Sequence, residues 1–160
     1  MNKTELLKQV IARLEDDLLQ AQQAALTAYE TATHEENIAE NKYDTLGLEA
    51  SYLATGQARR AAAIRQTLAN WKLLVLRAFD PLLGIQLGAL IELSDDEDRR
   101  QCLFLGPDGA AMKLQQDGQS IQVIGPQAPL GLILIGKTVG DEVTLHVASG
   151  VQLLEILSVD

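Results

Sequence analysis

The segment HEENIAEN, residues 34–41, interrupts two alanine-rich stretches whose apolar residues recur with helical spacing. Before it, Leu7, Ile11, Leu14, Leu18, Ala21, Ala25, Ala28 and Ala32 alternate steps of four and three, which is the spacing of a coiled-coil seam. After it the seam resumes at Leu46, Ala50, Leu53, Gln57, Ala61, Ile64, Leu68, Trp71 and Val75, with Gln57 as its one polar member. Neither arm contains proline, so both are expected to be long helices. The interruption is short enough to fold the chain back on itself. The pair therefore reads as an antiparallel hairpin, each arm about 45 Å long at a rise of about 1.5 Å per residue.

Large seam residues (Leu14, Leu18, Leu68, Trp71) lie near the chain ends of the arms, and alanines lie near the turn. Small residues let helices approach closely, so the rod is expected to be thin at its far end. That end gathers Glu35, Glu36, Glu40 and Asp44. Like charges repel, so the cluster is either a solvated tip or a device for holding something positive. The solvated reading is a plain helical turn with glutamates near a helix N-terminus, and charge runs usually mark such faces.

Phe79-Asp80-Pro81 is expected to close the second helix, because a residue before proline is pushed out of the helical region. Short strands separated by turn chemistry follow: ALIEL (89–93), CLFL (102–105), AMKLQ (111–115) and SIQVI (120–124), with SDDEDRR, GPDG and QDG between them. PLGLILIG (129–136) reads as a short helix with proline at its start and Gly136 at its stop, and two strands around a turn complete the chain. The expected fold is α+β, a helical hairpin over residues 1–79 and a small, mostly antiparallel β module with one short helix over 80–160.

Charge divides the chain at the same place. Residues 1–79 carry nine basic and ten acidic side chains, and residues 80–160 carry four and twelve, within a net charge of −9. Such a surplus of acid argues against non-specific nucleic-acid binding as the main activity, since phosphate neutralisation needs excess Lys and Arg, and no direct sequence-specific DNA binding is expected. The single Cys102 permits no internal disulfide, and no apolar stretch approaches membrane-spanning length, so a soluble cytoplasmic protein is expected.

Gly131–Thr138, GLILIGKT, fits the phosphate-loop pattern G-x-x-x-x-G-K-T. Its context does not: a phosphate loop follows a strand and opens a helix, whereas here proline and bulky LILI precede the lysine and VGDEVTLHV follows with strand character. His34 and His146 share no metal-ligand spacing with Cys102. Cys102 reads as a small buried hydrophobe and His146 as a solvent-facing strand residue.

Several of these residues resemble those of the Gre family of bacterial transcription elongation factors, GreA and GreB. At the tip, Glu40-Asn41 and Tyr43 are similar to the family's D-x-x-E-N-A-E-Y signature. In the second module, LGALIELSDDED and APLGLILIGKTVGDEV resemble the family's strand, acidic turn and S-P-[LI]-x-x-x-L-[IL]-G-K-x-x-G-D pattern. The resemblance implies an FKBP-like second module that docks on RNA polymerase at its secondary channel, with Pro129, Gly131, Gly136, Lys137, Gly140 and Asp141 in the docking region. It also implies a hairpin that reaches into the channel, where Glu36, Glu40 and Asp44 share Mg2+ with polymerase beside the tip residues Glu35, Asn37 and Asn41. Polymerase itself then cleaves the backtracked RNA, so the protein is not an enzyme on its own. No metal is expected on the isolated protein, since Mg2+ takes one or two carboxylates and draws its other ligands from phosphate and water.

With Asn41 aligned, the signature aspartate falls on Asn37, and Lys42 and Tyr43 replace the A-E that should follow. A second reading is therefore a channel regulator that does not promote cleavage. A third, an FKBP-like isomerase or chaperone, ranks behind both because such a pocket is rich in aromatics, and Phe104 is the only aromatic from 80 to 160. Arg59, Arg60 and Arg65 are either solubilising helix residues or a contact with polymerase or nascent RNA. The protein is expected to act as a monomer.

Overall fold

A computed structural model describes residues 1–34 and 46–160 of the chain. Helix α1 spans Lys3–Thr33 and α2 spans Leu46–Lys72. Asn2 caps α1, its side-chain oxygen accepting the Glu5 backbone N–H at 3.2 Å, which satisfies one of the helix's unpaired amides. Leu14, Ala21 and Ala28 of α1 and Ala50, Ala61 and Leu68 of α2 are buried, as the heptad spacing requires of a seam.

The seam departs from expectation at two points. In the first turns of α1, Leu6 and Val10 are the fully buried residues, and Leu7 and Ile11 are only partly covered. Toward the turn, Leu53 is 56% exposed. There the short side chains of Ala24, Ala28 and Ala50 do not fill the space between the arms, and a groove of about 560 Å³ opens along them.

Helix α2 ends at Lys72, not near Phe79. The four residues that follow, LLVL, form a short apolar run whose periodicity alone cannot separate helix from extended chain. Tertiary contact settles it: Leu74 and Leu76 turn inward against Gly88 while Leu73 and Val75 face solvent, an alternation that only extended backbone provides.

The six strands are β1 Leu90–Asp95, β2 Arg100–Leu105, β3 Met112–Gln116, β4 Gln119–Ile124, β5 Glu142–Val147 and β6 Gly150–Val159, with helix α3 at Pro129–Leu134. They form one sheet in the order β3-β4-β2-β1-β6-β5. All pairs are antiparallel except β2 with β4, which run parallel. The β3–β4 turn is Asp117-Gly118, both with positive φ (53° and 76°), the geometry that an Asp-Gly pair supplies for a tight hairpin.

Alternation sorts the strands into two faces. Ile91, Leu93, Leu103, Leu105, Leu154 and Ile156 point to one side, where Leu134 of α3 and Ile85 cover them. Phe104, Ile121, Val123 and Leu114 point to the other side and are equally buried. Trp71 covers this second face, its ring 5.8 Å from Phe104 and its indole N–H donating to the Pro107 carbonyl at 3.1 Å. The start of α1 lies alongside β3, where Gln9 Nε2 donates to the Gln115 carbonyl at 3.3 Å and the Asn2 backbone N–H donates to Gln116 Oε1 at 2.8 Å.

The chain accordingly divides into two compact units, one of Met1–Ile11 with Asn70–Asp160 and the other of Ala12–Ala69. Sequence put the division between 79 and 80. In the structure both ends of the helical arms group with the sheet, because Leu6, Val10 and Trp71 are buried there.

Candidate functional site

The GKTVGD segment after α3 is built from backbone hydrogen bonds. Gly136 (φ 81°) donates to the Ile85 carbonyl at 2.9 Å, and Ile85 donates to the Lys137 carbonyl at 2.8 Å. The Asp141 carboxylate accepts the Thr138 N–H at 2.9 Å, and the Asp141 N–H returns to the Thr138 carbonyl at 3.1 Å. Gly140 (φ 88°) donates to Ile156 at 2.8 Å and the Ile156 N–H donates to Asp141 at 2.9 Å, which joins the turn to β6. The amides of Gly136, Lys137, Thr138, Gly140 and Asp141 are all spent on protein oxygens. None of these five is left to cradle phosphate, so the G-x-x-x-x-G-K-T pattern here is a fold device.

The same geometry sorts the residues of the expected docking region. Gly131 is buried beneath the Gly125 carbonyl, where any side chain would collide. Pro129, Gly136, Lys137 and Gly140 are exposed, and Asp141 is partly covered by the turn that it holds. Leu132, Ile135 and Val139, which flank or interleave with them, are exposed apolar residues. The Asp80-Pro81 turn carries two further exposed apolar residues, Leu82 and Leu83, and Gly84 after it lies directly against Gly136. Leu82 is 95% exposed, its backbone N–H held by Asp80 Oδ1 at 2.9 Å. Leu83 and Leu87 also line a groove of about 770 Å³ with Leu73, Leu74, Val75 and Phe79. Exposed apolar residues grouped in this way on a polar module mark an interaction surface.

The acidic turn after β1 is ordered by its own charges. Asp95, with its side chain only 5% exposed, accepts the Arg99 backbone N–H at 2.9 Å and its guanidinium at 2.7 Å. The Arg99 backbone bond, then its side chain, hold the Asp95 carboxyl below the usual carboxylate range. Cys102 is partly buried opposite Glu92, and burial pushes its thiol above the ordinary value, so it is an unreactive strand residue.

Glu35, Glu36, Asn37, Glu40, Asn41 and Asp44 lie outside the described residues. Among the described residues, no group of His, Cys, Asp and Glu could hold a metal ion, and no helix is long and apolar enough to cross a membrane. Arg59, Arg60 and Arg65 are exposed along α2. Sequence reasoning missed the exposure of Leu82 and Leu83 and the contact of Gly84 with Gly136. Only the collinear run Pro81-Leu82-Leu83-Gly84, apolar residues between two turn formers, hinted at an exposed apolar tip.

Residues 84–160 match the family model described as transcription elongation factor, GreA/GreB, C-terminal. The C-terminal module is thus similar in sequence to the C-terminal part of that family. Solved structures similar to the chain include GreA factor homolog 1 of Thermus thermophilus, at 20% identity over 94% of each chain with a TM-score of 0.40. The homolog from Thermus aquaticus is 20% identical over 92% of each chain, with a TM-score of 0.42. A GreA/GreB factor from Nitrosomonas europaea is 20% identical over 62% of this chain and 78% of its own, with a TM-score of 0.39. No curated protein matches the chain.

Proposed function

We propose that this protein binds RNA polymerase at its secondary channel through the C-terminal module and carries the 35–44 segment toward the catalytic centre. The observation that carries the reading is the GreA/GreB match over residues 84–160. The exposed apolar set Leu82, Leu83, Leu132 and Ile135 supports it as the docking surface. On this reading Leu82→Asp, which removes apolar area without touching the core, weakens polymerase binding by about tenfold or more, as truncation of a central interface anchor does. Fluorescence titration against core polymerase measures this. Unchanged affinity would move docking to another face.

At the centre the protein regulates and polymerase cleaves. Glu36, Glu40 and Asp44 offer hard oxygen donors suited to Mg2+, but too few to hold it without polymerase and RNA. Bound there, the ion would help activate water and stabilise the leaving oxygen. The chain's own contribution is the carboxylates of the 35–44 segment. Loss of one charge should then impair cleavage while leaving affinity intact. Glu40→Gln is expected to slow cleavage of backtracked transcripts by about tenfold or more, which is at least about 1.4 kcal/mol in the barrier.

Asn37 favours the second reading, a regulator that occupies the channel without promoting cleavage, because its amide brings an oxygen but no charge. Asn37→Asp in the same assay separates the two: a gain in cleavage supports a metal-sharing tip. If neither tip variant changes any transcriptional effect while polymerase still binds, the protein works by occupancy. The isomerase reading finds no support in Phe104, which is fully buried against Trp71.

A further inference from the structure

The sheet has two edges, and they are treated differently. At the β3 edge, the outward carbonyl of Gln115 is taken by Gln9 of α1, and Asn2 and Gln116 exchange further bonds beside it. The β5 edge has no such cover among the described residues. Register fixes which of its groups are left. Ile156 donates to the Asp141 carbonyl, Glu142 sits opposite Glu155, and Val147 closes the hairpin opposite Gly150. Val143, Leu145 and Val147 therefore spend their backbone groups on β6. Those of Glu142, Thr144 and His146 point away from the sheet, and all three residues are exposed.

An unpaired edge is a template for another strand. We propose that the occupant is a second copy of this chain, with β5 paired antiparallel to the partner's β5 about a two-fold axis at Thr144. This register brings all three outward residues of each strand into hydrogen-bonded positions, Thr144 opposite its own copy and Glu142 opposite the partner's His146. Two carboxylate–imidazole pairs then form on the solvent side, where an imidazole N–H can donate to the carboxylate opposite. On the other side Val143 meets the partner's Leu145 twice, apolar against apolar. Shifting the register by two residues in either direction loses an outward pair and both Glu–His matches. A two-fold axis makes the contact self-complementary and closed. The other ionisable groups at this edge, Asp141 and Glu155, are acidic, as is the whole chain at −9, so the association is weak and concentration-dependent. It departs from the expectation of a monomer and does not depend on polymerase binding.

The test uses the full chain with Cys102→Ala, so that an introduced thiol is the only one. Opposed residues in a hydrogen-bonded antiparallel pair have Cα atoms about 5.5 Å apart, within disulfide reach. Thr144→Cys should give a disulfide dimer under mild oxidation. Leu153→Cys, exposed on β6 beside Thr144 but away from the axis, should cross-link about tenfold more slowly. Without cross-linking, sedimentation should show self-association that His146→Glu abolishes by setting like charges opposite each other. Adding Glu142→Lys to His146→Glu restores the pairs and should restore the dimer. Equal cross-linking at both cysteines overturns the proposal, as does a chain monomeric at every concentration or a dimer indifferent to His146→Glu. Preference of the edge for an extended peptide over a second copy would also overturn it.

Discussion

Trp71→Ala is expected to destabilise the fold by about 3 to 5 kcal/mol, the cost of truncating a fully buried large aromatic. Trp71 is 0% exposed and packs on Phe104 in a tilted arrangement, with ring planes at 58°. Aromatic pairs of this kind add about 0.5–1.5 kcal/mol beyond their buried area. Gly106 lies directly under the indole, where a Cβ would collide with the ring, so the backbone has closed around the side chain and cannot readily collapse into the space left behind. Trp71→Phe separates the contributions. It keeps most of the apolar contact but removes the N–H bond to Pro107, leaving that carbonyl to water at a cost of about 1 kcal/mol. Chemical unfolding followed by circular dichroism reads both variants. In the wild type the intrinsic fluorescence of Trp71, the only tryptophan, should shift red in the same transition. A loss below about 1 kcal/mol for Trp71→Ala would mean that the ring is not part of a packed core.

The second large effect is expected at a position with no side chain. Gly84 has φ 73°, in the left-handed region, and a Cβ there would strike the backbone carbonyl of Gly136. Gly84→Ala therefore suffers twice: about 1–2 kcal/mol for the left-handed backbone and about 1–3 kcal/mol for forcing two main chains apart. The two bonds that join Ile85 to Gly136 and Lys137 cross this contact, so displacement also weakens them. Gly140→Ala is the control. It shares the positive φ, at 88°, but has open space around its Cα, so only the conformational cost of about 1–2 kcal/mol should appear. If the two variants unfold at the same urea concentration, the close approach at Gly84 contributes nothing.

Much of the local structure was legible because it rests on short-range rules. The heptad steps located Leu14, Ala21, Ala28, Ala50, Ala61 and Leu68 as the buried stripe, since side chains three and four apart share a helix face whatever lies opposite. Strands β1 to β4 fell within a residue or two of ALIEL, CLFL, AMKLQ and SIQVI, because alternation and turn residues bound them locally. The short helix began at Pro129, where a fixed φ and a missing N–H suit a first turn. Its surroundings also removed the phosphate-loop reading before any geometry was available.

What sequence misplaced was the boundary between modules, and the reason is physical. A seam residue declares that it is buried but not against what. Trp71 fits the α2 stripe by spacing, yet its ring belongs to the sheet face formed by Phe104 and its neighbours, which would otherwise meet water. Leu6 and Val10 replace Leu7 and Ile11 for the same reason: at the start of α1 the covering partner is the sheet, so the buried stripe follows the sheet. The LLVL run after Lys72 was equally apolar as helix or extended chain, and Gly88 decided between them by giving Leu74 and Leu76 a place to pack. Sequence by itself determined the two helical arms, the strands, the acidic segment between the arms and the family likeness of the second module. Only the tertiary structure decided that β2 and β4 run parallel, that the ends of the arms complete the sheet's second face, and that Gly84 packs against Gly136 just after α3. Each of these depends on residues distant in sequence being brought together, and periodicity carries no information about the partner.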